Sequence, residues 1–279
     1  MKVSIIIPVF NERADILECL SSLSDQLEKD FEVIVVDDGS TDKTSEVLRN
    51  FQFQISNFQY VRQNHSGAGA ARNLGAKKAK GKILVFVDAD MTFDKGFIGN
   101  LIAPIGKNGV IGTFSKEEFL ANKNDVWAVC WNLNRGLPKD RMHGDKYPDN
   151  QRVFRAILKE KFDEAGGFDA KGGYIDDWTL SEKLGVLAVN APNAIFYHKN
   201  PGSLSEVFRQ SKWMAKRKYK FGIVGIVIAL IRVSLPAPVL VGLVSAFRFS
   251  TPQFFVFKIV SDFAQFVGIF EYIFGKVAK

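Results

Sequence analysis

Along the first third of the chain, apolar runs without alternation are separated by polar turns and by segments with helical spacing. Val3 to Val9 reads as a strand buried on both faces, stopped by Pro8 and followed by Asn11-Glu12. Ile16, Leu17, Leu20, Leu23 and Leu27 then recur at the spacing of one helix face. Phe31 to Val36 is a second strand running into Asp37-Asp38-Gly39-Ser40-Thr41-Asp42, where Asp-Gly turn chemistry meets the helix-capping residues Ser40 and Thr41. A helix over about 43–50 and a strand over Phe58 to Arg62 complete β-α-β-α-β, which predicts a parallel sheet with right-handed crossovers. The loop Asn64 to Gly75 leads through a helix to Ala79, and Ile83 to Val87 forms a further buried strand. That strand ends in Asp88-Ala89-Asp90, at the carboxyl edge where open α/β sheets bind ligands. In an extended chain the two carboxylates, two residues apart, point to the same side.

The pattern then loosens. Phe97 to Ile105 and Asp125 to Leu133 read as helices and Val110 to Phe114 as a strand, while Arg135 to Asn150 is a polar stretch predicted to be a mobile loop over the site. Gly172-Gly173 precede Asp176-Asp177-Trp178 at the start of a helix over Thr179 to Leu184, where carboxylates serve equally as helix caps. Val186 to Asn190 and Ala194 to His198 read as a strand pair. Between Arg209 and Lys220 lie Arg209, Lys212, Lys216, Arg217, Lys218 and Lys220, interleaved with Trp213 and Tyr219. Phe221 to Phe247 is then almost wholly apolar, and Phe254 to Phe274 is a second apolar run in which Lys258 and Asp262 stand at pairing distance on one helix face. The division expected is an α/β domain over 1–208, a basic juxtamembrane segment over 209–220, and membrane-associated helices over 221–279, two in number at about 221–247 and 254–274. A hairpin with both ends in the cytoplasm satisfies the positive-inside rule; a pair of helices lying in the interface is the alternative.

Composition changes this picture little, and charge sharpens it. The chain has 279 residues, 47% of them hydrophobic, with mean hydropathy near zero, a formal charge of +7 and a pI near 9.3. A positive balance suits nucleic acid, anionic lipid or phosphorylated substrates. The cations crowd beside apolar runs of lipid length, which argues against nucleic acid. Cys19 and Cys130 stand apart from any Cys/His cluster and read as small core residues of a reducing compartment. The opening MKVSIIIPVF is a first strand, not a signal peptide.

Paired carboxylates at a strand end suit a hard divalent cation that bridges to phosphates, although an isolated Asp-x-Asp is more often an Asp-rich turn. Small residues at 66–71 allow close backbone approach to a ligand, and Arg72 is a candidate phosphate or ribose contact or a helix-surface ion pair. Taken in order, Pro8-Val9-Phe10-Asn11-Glu12, Asp37 to Asp42, Gly67 to Asn73, Asp88-Ala89-Asp90 and Ile175-Asp176-Asp177 resemble glycosyltransferase family 2 over roughly residues 1–200. The resemblance implies an α/β fold of the GT-A type, Rossmann-like with a mostly parallel sheet, to which the apolar runs add a C-terminal helical membrane hairpin. It further implies a nucleotide-diphospho-sugar donor, a divalent metal (Mn or Mg) and inversion at the anomeric carbon. Carried over position by position, Pro8, Val9 and Glu12 line the nucleotide pocket, Asp38 accepts from the base (most typically uracil, favouring a UDP-sugar), and Arg72 sits near the nucleotide. Asp88 reaches ribose or metal, Asp90 ligates the metal, and His198 completes the metal site. Asp177 is the general base; Asp176 stands where the family has Glu, and with Trp178 is grouped with the substrate contacts.

The chemistry asks for these groups independently. Displacing a nucleoside diphosphate from a sugar builds an oxocarbenium-like centre and negative charge on the leaving group, while a carboxylate must take the acceptor hydroxyl's proton. Arg209-Gln210-Ser211-Lys212-Trp213 resembles the Q/R-x-x-R-W motif of processive members, with Lys212 in place of arginine, and reads mainly as a membrane anchor. The expected acceptor is a lipid-linked or membrane glycan, with transfer to polyprenyl phosphate itself as the alternative, at the cytoplasmic face of the cell membrane.

Overall fold

Strands without alternation need cover on both faces, and those over Val3–Val9, Phe31–Asp37 and Ile83–Phe86 have it. In the computed structural model, which describes residues 2–51, 57–144, 146–170 and 177–275, the chain divides into two units: Met1–Phe119 with Asp145–His198, and Leu120–Gly144 with Lys199–Ala278. In the first unit β1 (Val3–Val9) lies between β2 (Phe31–Asp37) and β4 (Ile83–Phe86), with β3 (Phe58–Arg62) beyond β2, all parallel. Ile5, Ile7 and Val9 of β1 pack with Ile16, Leu20 and Leu23 of α1 (Ile16–Ser24). On the other face Ile6 meets Ala71 and Ala76 of α3 (Ala68–Lys78), while α2 (Thr44–Phe51) returns the chain between β2 and β3. A Cβ on Gly75 would stand 2.5 Å from the Ile6 side chain, so small residues in α3 set how closely it can lie on the sheet.

After β4 come β5 (Met91–Phe93), α4 (Phe97–Ile102), β6 (Gly112–Phe114) and β7 (Glu118–Leu120), then α5 (Val126–Asn134), β8 (Asn150–Gln151), β9 (Ala156–Leu158), α6 (Lys159–Glu164), α7 (Thr179–Leu184), β10 (Ala188–Asn190) and β11 (Phe196–His198). The large sheet has eight strands in the order β3-β2-β1-β4-β9-β6-β10-β8. β9 runs antiparallel between β4 and β6. β5, β11 and β7 form a separate sheet of three strands.

Several expectations are corrected here. The last two strands do not pair: β10 joins β6 and β8, and β11 joins β5, because the turn at Pro192-Asn193, with Asn193 at φ 62°, carries the chain from one sheet to the other. Asp88 and Asp90 do not share a side of one extended strand. The chain turns after β4, with Met91 N–H donating to the Asp88 carbonyl at 3.2 Å, and the two carboxylates find different partners. The stretch expected to be a mobile loop is fastened along its first part, because Asn132 Nδ2 donates to the Pro138 and Arg141 carbonyls and Met142 is buried with Leu120 and Ala128.

The second unit holds α5 and the helices α8 (Leu204–Ala215), α9 (Ile223–Val233), α10 (Ala237–Arg248) and α11 (Gln253–Ile273). The apolar run expected as one helix over 221–247 is two, bent by 57° at a break that contains Pro236, which has no N–H to continue the ladder. Among the described residues α11 is the one helix long and apolar enough to cross a membrane by itself. Lys258 and Asp262 do pair within it, at 2.8 Å and buried. Asp176, with Gly172, Gly173, Lys276 and Lys279, lies outside the described residues.

Candidate active site

The order β3-β2-β1-β4 reverses direction at β1, so a crevice opens beyond the carboxyl ends of β1 and β4. Pro8 and Val9 end β1, and the segment after it is stapled to the segment after β2. Asn11, at φ 61°, accepts on Oδ1 from the Thr41 N–H at 2.8 Å and the Asp42 N–H at 3.2 Å, while its own N–H donates to Ser40 Oγ at 3.0 Å. Asparagine tolerates this left-handed backbone, which explains it in the loop. Glu12 is half-buried on the same loop, its carbonyl accepting from the Asp15 and Ile16 N–H groups.

The two aspartates at the end of β2 divide their tasks. Asp37 is fully buried and accepts from Ser40 N–H at 2.7 Å, from Tyr60 Oη at 2.8 Å and from Ser45 Oγ. Burial raises its carboxyl, and these hydrogen bonds more than offset that, leaving it below its ordinary range. Asp38 instead organises the loop before α3, accepting from the Ser66 and Gly67 N–H groups at 2.8 Å each and from Gln63 Nε2 at 2.6 Å. His65 Nδ1 lies 2.9 Å from Asp38 Oδ2, and the His65 ring stacks on Phe10, with centroids 4.2 Å apart.

Arg72 is the hub. Buried on α3, it reaches Asp177 Oδ1 through Nη1 at 2.7 Å and Asp88 Oδ1 through Nη2 at 2.8 Å. The second Asp88 oxygen lies 3.2 Å from Arg155 Nη1. Burial raises Asp88, but the two guanidinium groups more than offset it and hold the carboxyl well below the usual range. Arg72 therefore stands as an ion pair between two carboxylates that the sequence places far apart. Trp178 is exposed beside Asp177, with the Arg152 guanidinium 5.5 Å from its ring.

Asp90 meets His198, with Oδ1 and Nε2 3.2 Å apart, and the opposite ring nitrogen lies 2.7 Å from Glu118 Oε1. Burial acts against charge on this imidazole, but Asp90 and Glu118 outweigh it and push the group well up. Among the described residues no three His, Cys, Asp or Glu side chains gather as a metal site. Asp90 and His198 nonetheless fit one as a pair: a carboxylate oxygen and an imidazole nitrogen suit Mn, and a carboxylate on the far ring nitrogen fixes which nitrogen faces the ion. Asp88, saturated by two cations, is placed with the arginines rather than with this pair.

Arg155 and Glu118 were not singled out from the sequence. Arg155 is a lone charge in the apolar run Phe154 to Leu158, and that was the available signal; Glu118 closes the charged triplet Lys116-Glu117-Glu118 and carried none.

Comparison with known proteins gives the family and the fold. The family model described as Glycosyl transferase family 2 matches residues 4–166. GlyG of Streptococcus pneumoniae is 31% identical over 230 residues, covering 76% of this chain and 75% of GlyG. The chain belongs to glycosyltransferase family 2. GlyA of the same organism is 34% identical over 76% of this chain, which spans 32% of that protein's length, and a poly(ribitol-phosphate) beta-glucosyltransferase of Bacillus spizizenii is 43% identical over 57% of this chain and 24% of its own. Among solved structures, the mannosyltransferase PcManGT of Pyrobaculum calidifontis, solved with GDP-Man and Mn2+, superposes with a TM-score of 0.63 at 19% identity, over 99% of this chain and 88% of that one. TarS 1-349 of S. aureus, solved with UDP, gives 0.57 at 17% identity, over 99% and 92%. The fold is thus GT-A.

Proposed function

We propose that the chain is an inverting glycosyltransferase that moves a sugar from a nucleotide-diphospho-sugar, a UDP-sugar being favoured, to a lipid-linked or membrane glycan at the cytoplasmic face of the cell membrane. The observation that carries the reading is the pairing of Asp177 with Asp88 through Arg72, which brings a partly exposed carboxylate to the mouth of the nucleotide crevice. In this reading Pro8, Val9 and Glu12 line the nucleoside site, Asp38 receives the base and Phe10 with His65 flanks it. Asp88 and Arg155 set the position of Arg72. A divalent cation, Mn or Mg, held by Asp90 and His198 would supply positive charge to the leaving diphosphate. Asp177 accepts the acceptor hydroxyl's proton once the arginine is drawn towards the donor phosphates, and Trp178 beside it offers a face for the acceptor sugar. Residues 1–208 carry this chemistry and the basic 209–220 segment meets the membrane.

The test is Asp177→Asn. Transfer of labelled sugar should fall by about three orders of magnitude or more while donor binding, read by calorimetry, stays within twofold. Turnover at the parent rate would remove Asp177 as the base. Offering polyprenyl phosphate and a lipid-linked saccharide in parallel decides the acceptor.

A further inference from the structure

We infer that α9 and α10 form a wedge entering one leaflet of an anionic membrane, and that none of the three C-terminal helices crosses the bilayer. The inference rests on the membrane part of the reading above and not on its transfer chemistry.

Length and bend come first. At 1.5 Å per residue, α9 and α10 are about 16 and 18 Å long, against about 30 Å of hydrocarbon. Their 57° bend prevents them from adding up to a straight span. Both lay one side on α11, where Val233 packs with Ile269, and where Phe255 and Lys258 close on Gly242. Their other side is bare: Ile223, Ile231, Leu235, Leu240 and Phe247 are 79, 67, 70, 65 and 84% exposed. An apolar face of this extent needs cover.

Charge says what covers it. Arg217, Lys218 and Lys220 are exposed just ahead of α9, and Arg248 is exposed at the end of α10, so both open ends of the elbow are cationic and its apolar tip at Leu235 lies between them in the chain. This is the arrangement of an interfacial anchor on anionic headgroups, with apolar side chains dipped among the acyl chains. Arg232, exposed three residues before the tip, tolerates shallow insertion by snorkelling and opposes deep insertion.

α11 is long and apolar enough to cross a membrane, but its neighbours rule that role out. Phe257 meets Trp131 of α5, Phe263 meets Phe208 of α8, Ser261 meets Ser211, and Glu271 pairs with Lys212 and Lys216. α8 therefore accompanies α11 along half its length while exposing Arg209 and Gln210. A spanning α11 would draw those groups into hydrocarbon. Its buried Lys258–Asp262 pair is protein interior instead.

The experiment uses the full chain with Ser250→Cys, in the exposed turn between α10 and α11; the native Cys19 and Cys130 are buried. Membranes from expressing bacterial cells are prepared as inverted and as right-side-out vesicles and treated with an impermeant maleimide. A wedge leaves the introduced thiol on the cytoplasmic side, labelled in inverted vesicles and protected in right-side-out ones. The reverse pattern would overturn the wedge while leaving membrane association standing. Purified protein should also float with vesicles of phosphatidylcholine and phosphatidylglycerol at least tenfold better than with phosphatidylcholine alone, and Leu240→Glu with Val244→Glu should abolish this while donor binding holds. Absence from membranes and vesicles alike, with a dimer by sedimentation that the double variant dissolves, would overturn the membrane reading itself and assign the face to a second copy.

Discussion

Replacing Glu118 by Gln tests whether the pair Asp90–His198 is a metal holder. The imidazole is clamped between two carboxylates, 2.7 Å from Glu118 on Nδ1 and 3.2 Å from Asp90 on Nε2. A glutamine Oε1 still accepts from Nδ1–H, so the ring keeps its place while one negative charge goes. The loss falls on the basicity of Nε2. Partners of this kind to metal-bound histidines are worth about 10- to 100-fold in metal affinity, or about 1.4–2.8 kcal/mol. Glu118 and His198 side chains are 10 and 23% exposed, so solvent screens the interaction only modestly and the middle of that range, about 30-fold, is expected. The assay is a Mn2+ titration followed by electron paramagnetic resonance with UDP present, comparing parent, Glu118→Gln and His198→Ala. His198→Ala should weaken Mn2+ further than Glu118→Gln does. Equal Mn2+ affinity in all three proteins would refute the placement of the ion at this pair.

Two further outcomes follow from the same network. Arg72→Gln removes two charge-assisted hydrogen bonds from a buried position, but Asp88 keeps Arg155 and Asp177 is about a third exposed, so the expected destabilisation is about 2–3 kcal/mol in urea unfolding. A change under about 0.5 kcal/mol, the size of an ordinary surface substitution, would show that the bridge is not formed in solution. Asp37→Asn should cost about 1–2 kcal/mol near pH 7. Because the folded carboxyl lies below its ordinary value, its contribution is present in full above about pH 4–5 and is lost as pH falls through the lowered folded value. The gap between parent and variant should therefore close in acid, as read by thermal unfolding from about pH 7 to about pH 2.5; a gap that widens in acid would contradict the assignment.

The early half of the fold was legible because its physics is local. Uninterrupted apolar strands, helical spacing at Ile16 to Leu23 and turn residues at 37–42 each specify one element, and parallel order follows from their alternation. Beyond Asp90 the strands are two or three residues long and take their place from partners elsewhere, so β10 and β11 looked like a pair when each belongs to a different sheet. The same holds in the site. Asp38, Asp88, Asp90 and Asp177 stood out as carboxylates at element ends, whereas Arg155 and Glu118 matter only through the groups they face. In the C-terminal unit hydropathy marked the apolar runs, and the first folds as two helices at a break where Pro236 stands, with Pro238 just after it.

The antiparallel β9 has a consequence for how the protein comes to be folded. It is the strand on which β4 completes its pairing, and it is flanked in sequence by the residue that reaches Asp88, 67 positions away. Arg72 and Asp177 are 105 positions apart. Contacts of such separation are closed late, since the chain must surrender much conformational freedom before they reward it. During synthesis the β-α-β half can collapse first, with one edge of β4 unpaired and its Asp88 unneutralised by Arg155 until the strand at 156–158 emerges. Shortening the chain ahead of that strand should therefore yield an aggregating fragment, not a smaller nucleotide-binding domain.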